Sequence, residues 1–237
     1  MPAISIDDEV LPSLAERRRR ASRELMRGEI LTAAQHIIRT QGMDALSLRA
    51  LAKAVGVTAP ALYEYFPGKD AILRALFVQG TGLMLASMDQ LIAESPPGLP
   101  TLLAVLQGYR DFARVEPDYF QLLFGTVDPA LALTPDEYAG MENIFERFIG
   151  VIASSIELGE LRPAPCEILG CSLWALIHGM AQLETESFLA SKDTGSNAKG
   201  KQFDAAMKLV LLGLATPAGA KVIGPIEADD HIEGTER

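Results

Sequence analysis

S-L-R-A-L-A-K-A-V-G-V-T-A-P-A-L-Y-E-Y-F-P-G-K, residues 47–69, reads as two short helices joined by a glycine turn. Ser47 suits an N-cap, and Leu48, Leu51, Ala52 and Val55 then recur at helical spacing to form one apolar stripe. Gly56 stands where the chain must turn sharply, Val57 plugs the turn, and Thr58 offers a second N-cap two residues later. Pro60 falls in the next first turn, where a missing N–H costs little. The spacing predicts a second helix from Thr58 to Phe66 that buries Leu62 and Phe66. Thr58, Ala59, Ala61, Tyr63 and Glu64 then face the other way, and Pro67-Gly68 ends it. A helix pair whose second member shows its N-terminal residues outward is the arrangement that enters a DNA major groove.

The longer string G-M-D-A-L-S-L-R-A-L-A-K-A-V-G-V-T-A-P-A-L-Y-E-Y-F-P-G-K-D-A-I-L, residues 42–73, resembles the N-terminal domain of the TetR family of bacterial transcriptional regulators. The turn glycine, the Leu62-Tyr63 pair, Phe66 and Lys69 all fall at the family's spacing. The resemblance implies that Ser47, Thr58, Tyr63 and Lys69 meet phosphates and position the helix, without reading sequence. Thr58, Ala59 and Ala61 are the residues expected at base edges, alanine methyls being suited to thymine methyls. Arg49 and Lys53 on the preceding helix add charge, although Lys53 reads equally as a solvated residue. Glu64 stands where relatives often carry an aromatic residue, and no Lys or Arg lies between Thr58 and Phe66.

The net charge of -10 conflicts with DNA binding until it is divided along the chain. Residues 17–75 hold 11 Lys and Arg against 5 Asp and Glu, a balance of +6, which leaves -16 elsewhere. The basic end is the expected DNA-binding end, and an acidic body discourages indiscriminate phosphate binding. Apolar residues make up 49% of the 237, yet no uncharged apolar run reaches bilayer length and no signal-peptide core opens the chain. The expectation is a soluble, cytoplasmic protein with no membrane partner. Cys166 and Cys171 are the only cysteines, five apart on one expected helix and therefore about 140° apart around it, unable to bridge. Such usage fits a reducing compartment and argues against a zinc site.

Along the chain, the pattern predicts an all-α protein. Residues 1–22 read as a flexible basic N-terminal arm ending in Arg17–Arg20. Those arginines have two open readings, an arm along phosphates or in the minor groove, and a charged leader of no function. Residues 23–69 form the expected helix-turn-helix domain, whose first helix carries Met26, Ile30, Ala33 and Ile37 and stops at Gly42. Residues 70–216 form the larger helical domain. Its opening helix runs to the breaker at 95–100, with Gly80 and Gly82 marking a possible bend. Helices over 101–115 and 117–124 follow. Thr134-Pro-Asp-Glu137 is a capping box that starts a helix stopping at Gly159, and Pro163 or Pro165 starts another to about Leu189. A polar linker over 191–200 precedes a last helix at 202–215, and residues 217–237 read as a disordered acidic tail.

W-A-L-I-H-G, residues 174–179, with Y-R-D-F-A-R-V-E-P-D-Y-F-Q-L-L-F-G upstream, resembles the ligand-binding domain of a TetR subgroup named for Trp, His and Gly. The resemblance implies a homodimer built on the last two helices. The expected effector cavity is largely apolar, lined by Tyr109, Phe112, Phe120, Phe124, Phe145, Phe148, Trp174 and His178. His178 reads equally as a core histidine and as a ligand contact. His36, His178 and His231 are the only histidines, none in a metalloprotease or nucleophile motif, and no phosphate-binding glycine loop is present. No catalysis, cofactor or metal is expected. The expected partners are a double-stranded DNA operator and a small-molecule effector. The rival reading is an all-α small-molecule binding protein or enzyme in which residues 43–73 are a structural hairpin.

Overall fold

The computed structural model describes residues 13–125, 133–185 and 196–225. These residues fold as α-helices with no named strand, in two compact units that divide between Leu76 and Phe77. That division lies seven residues beyond the expected boundary at 69/70, because the first turns of α4 (Lys69–Glu94) complete the core of the first unit.

In the first unit, α1 (Leu14–Gln41) begins nine residues before the expected Arg23. The cause is a capping box: the Ser13 hydroxyl accepts from Glu16 N at 3.2 Å, and the Glu16 carboxylate accepts from Ser13 N at 2.7 Å. Arg17–Arg20 are therefore exposed residues on a helix, which corrects the flexible arm for residues 13–22, while residues 1–12 lie outside the described residues. Ile30, Ala34, Ile37 and Ile38 form the buried stripe of α1. Gly42, at φ 87°, ends it by donating its N–H to the Ile38 carbonyl at 2.9 Å. After a 3-10 turn at Met43–Ala45, α2 (Leu48–Val55) and α3 (Ala59–Tyr63) form the helix pair. Leu46, Leu51, Ala52, Leu62, Phe66, Ile72 and Leu76 complete this core with the α1 stripe. Gly56 closes α2 at φ 72° and ψ 26°. A non-glycine residue in that left-handed region costs roughly 1–2 kcal/mol, so the turn selects glycine.

In the second unit, the remainder of α4 is followed by α5 (Leu99–Val115), α6 (Pro117–Phe124), α7 (Pro135–Glu157), α8 (Cys166–Thr185), α9 (Ser196–Leu214) and α10 (Pro217–Ile223). α4 continues through Gly80 and Gly82. Gly80 has a packing reason: a Cβ there would stand 2.8 Å from the Tyr119 ring. The capping box of α7 forms as the sequence predicts, with Thr134 Oγ1 accepting from Glu137 N and the Glu137 carboxylate accepting from Thr134 N. Glu160 ties three elements together. Its carboxylate accepts from Leu99 N at 2.6 Å, capping α5, and its carbonyl accepts from Thr216 N at 2.9 Å.

Two further boundaries differ from the sequence reading. α9 starts at Ser196, inside the expected linker, of which residues 191–195 lie outside the described residues. The expected disordered tail opens with a helix, α10, because Thr216 caps it by accepting from Gly219 N at 3.2 Å and Pro217 takes the first turn. Ile223 is buried, and Gly219 packs so closely on the Glu160 carbonyl that no Cβ would fit. Residues 226–237 lie outside the described residues. α4 and the Cys166–Glu184 stretch of α8 are long and apolar enough to span a bilayer by length and composition alone, charges at their ends included. α4 spends this apolarity on buried residues such as Ile72, Leu76, Phe77, Met84 and Met88.

Candidate nucleic-acid interface and ligand cavity

The helix pair of the first unit presents most of its expected DNA-facing residues to solvent. Ser47 Oγ accepts from Ala50 N at 3.2 Å, which leaves its O–H free to donate outward. Arg49 and Lys53, one turn apart on α2, are both exposed. Thr58 takes an extended N-cap conformation but makes no side-chain cap bond, so its exposed hydroxyl is uncommitted. Ala59 and Ala61 are half-buried, and Tyr63 is 57% exposed.

Two features depart from the sequence reading. α3 ends at Tyr63, three residues short of the expected Phe66, and the chain continues as a turn in which Tyr65 N and Phe66 N both donate to Leu62 O. Lys69 is half-buried, and its ammonium donates to the Met43 carbonyl at 3.1 Å. The expected outward ammonium is thus tethered at one of its three donors.

The sequence reading missed Arg23 and Arg27. Arg23 donates to Glu64 O at 2.8 Å, and Arg27 donates to Tyr65 O while its guanidinium lies 4.1 Å from the centre of the Phe66 ring. Both positive charges cover carbonyls at the C-terminal end of α3, where a helix dipole favours cations. Their i, i+4 spacing on α1 was the available signal.

The second unit contains a half-open cavity of about 530 Å³. Of the eight expected lining residues, Tyr109, Phe124, Phe145, Phe148 and Trp174 line it. Phe112, Phe120 and His178 do not. Phe112 lines a separate small cavity with Met84 and Leu91, and Phe120, only 1% exposed, is core. His178 lies behind the wall, its ring stacked on Phe120 with centroids 5.6 Å apart.

His178 nevertheless shapes the cavity. The Tyr109 hydroxyl lies 2.9 Å from His178 Nδ1, so His178, on α8, holds the phenol of a residue that lines the cavity. Burial pushes the Tyr109 phenol well above its ordinary range, against a smaller lowering by the Trp174 side chain, and burial pulls the His178 imidazolium down. Both groups are neutral near neutrality. The sequence reading also missed Tyr138, Met141, Glu142, Glu146 and Cys171 in the wall. Tyr138, Glu142 and Phe145 recur at helical spacing on α7, a signal that was legible.

A chain with a glycine-turned helix pair in one unit and an aromatic-lined cavity in a second helical unit defines a class of two-unit, all-α regulatory proteins. Residues 30–76 match the family model for bacterial regulatory proteins of the tetR family, and residues 102–207 match the model for a tetracyclin repressor-like C-terminal domain. The chain belongs to the TetR family of transcriptional regulators. Its relatives include the HTH-type transcriptional regulator Rv1816 of Mycobacterium tuberculosis strain H37Rv, 27% identical over 150 residues, covering 61% of this chain and 63% of the relative. The match thus spans less than two thirds of that relative's length. Among solved structures, the putative regulatory protein SCO4313 is 29% identical with a TM-score of 0.65, covering 82% of this chain and 98% of its own. The ketosteroid transcriptional regulator KstR2 of Mycobacterium tuberculosis shares the fold, with 16% identity, a TM-score of 0.61 and coverage of 81% and 95%.

Proposed function

We propose that this protein is a cytoplasmic repressor that binds a palindromic operator as a homodimer and is released by a small, largely apolar effector. The observation that carries this reading is the glycine-turned helix pair, which leaves Thr58, Tyr63 and Arg49 exposed on one unit while the other contains an aromatic cavity. Thr58, Ala59 and Ala61 are assigned to base edges, Ser47, Thr58, Tyr63 and Lys69 to phosphates, and Arg49 to an added charge contact.

The dimer reading is supported by the outer face of α8. Ile168, Ser172, Ala175 and Leu183 are exposed there, and nothing lies within 4 Å of where a Cβ on Gly179 would stand. Leu209 on α9 is 63% exposed, and Gly213 on the same helix also opens on empty space. Small residues amid exposed apolar ones permit the close helix approach of a four-helix interface. On the same helix Trp174 lines the cavity, His178 meets the Tyr109 hydroxyl and Gly179 opens on empty space.

An effector acts only through unequal affinity for the DNA-competent and DNA-incompetent states. Selection from a randomised duplex library tests the DNA reading. Wild type should enrich a palindromic motif, and Ala61→Gln should enrich a different one. Recovery of no motif by the wild type would overturn the proposal.

A further inference from the structure

We propose that the effector is a lipophilic organic cation, its apolar body in the aromatic cavity and its charged centre between Glu142 and Glu146. This rests on the cavity being the effector site. Glu142 and Glu146 are the only formally charged side chains in the lining, which contains no Lys, Arg or His. They stand one turn apart on α7, so their carboxylates share a face, and both are exposed. Neither makes an ion pair among the described residues. The nearest base along the chain, Arg147, is committed to Asp89, although it also feels the field of Glu146.

Like charges one turn apart work against a helix, so this pair lacks an evident structural use. The remaining wall explains what it could hold. Tyr109, Phe124, Tyr138, Phe145, Phe148 and Trp174 all line the cavity, and aromatic faces attract cations. An anionic ligand would meet two carboxylates and no counter-charge, and a neutral one would use neither. Residues 77–237 also hold 10 Lys and Arg against 22 Asp and Glu, a balance of -12, which concentrates cations near the unit. Because the two carboxylates are exposed, the charged centre sits at the mouth and keeps part of its hydration, while the body displaces water from the apolar interior.

Three probes separate the possibilities: tetraphenylphosphonium, tetraphenylborate of matched shape and opposite charge, and the neutral dye N-phenyl-1-naphthylamine. Trp174 is the only tryptophan and lines the cavity, so its fluorescence reports occupancy directly. The phosphonium should quench Trp174 and displace the dye at least about tenfold more tightly than the borate, equivalent to about 1.4 kcal/mol. In Glu142→Gln/Glu146→Gln, whose positions are exposed and whose fold is checked by thermal melting, that preference should collapse while the dye still binds. Equal or tighter binding of the borate overturns the cation proposal, as does a preference that survives in the double variant. Binding of the dye alone also overturns it but leaves the effector cavity standing. Failure of all three to bind removes the cavity reading as well.

Discussion

Single residues in this protein carry separable jobs. Lys69 is held by the Met43 carbonyl, so in the proposed DNA complex its ammonium is already positioned, with two donors left for a phosphate. Lys69→Ala should therefore weaken binding to operator and to scrambled DNA alike and reduce the magnitude of the salt slope by about one unit. A change of sequence preference with an intact slope, in affinity measured against salt, would place this lysine elsewhere. His178 gives a pH signature. Burial holds its pKa below the ordinary 6.5, so below that value the unfolded chain takes up a proton that the folded chain resists. Its contribution to stability is thus full above about pH 6.5 and falls on acidification toward the lowered folded value. Melting temperatures followed from about pH 7.5 to about pH 5.5 should drop more steeply for wild type than for His178→Gln. Parallel profiles would show that the half-buried Tyr109–His178 pair does not resist the proton.

Elements were legible in the sequence where a cap or a stop is written locally. Thr134-Pro-Asp-Glu137, Gly56 and Gly159 all act as the sequence predicts, the last at φ 69°. Composition and local chemistry disagree at both ends of the chain. Ser13-x-x-Glu16 is as good a capping box as that of α7, and it starts a helix through four consecutive arginines that read by composition as a loose arm. Thr216-Pro217 likewise starts α10 within an acidic, glycine-bearing tail. In the cavity, aromatic type alone could not separate wall from core. Phe120 and Phe124 are four apart on α6, yet only Phe124 reaches the cavity, because the depth of α6 against α5 and α8 is a tertiary fact. The exposed face of α8 yields a test at this scale. Ala175→Arg puts a charge on a residue exposed in the single chain, so folding is retained while the proposed dimer is opposed. Light scattering should show monomer for the variant and dimer for wild type. A variant that remains dimeric would move the interface off α8.

At the scale of the whole molecule, charge is divided as the proposed function requires. Residues 17–75 carry a balance of +6 and residues 77–237 one of -12, so the helix-turn-helix stretch attracts phosphate and the acidic remainder repels it. Sequence showed this division before any coordinate did, because net charge sums along the chain without knowledge of packing. It could not show that α4 completes one core with Ile72 and Leu76 and contributes to another from Phe77 onward. The proposed function links two equilibria, DNA on one unit and effector on the other, each biasing the other by the same factor. The most direct measurement is retardation of the DNA upstream of the protein's own gene against a scrambled duplex of equal length at one salt concentration. The expected result is a discrete complex of two chains per site, with affinity for the upstream DNA about a thousandfold or more above that for the scrambled duplex. Equal affinity for the two duplexes, or no retardation of either, would contradict the assignment of this helix pair to specific DNA recognition.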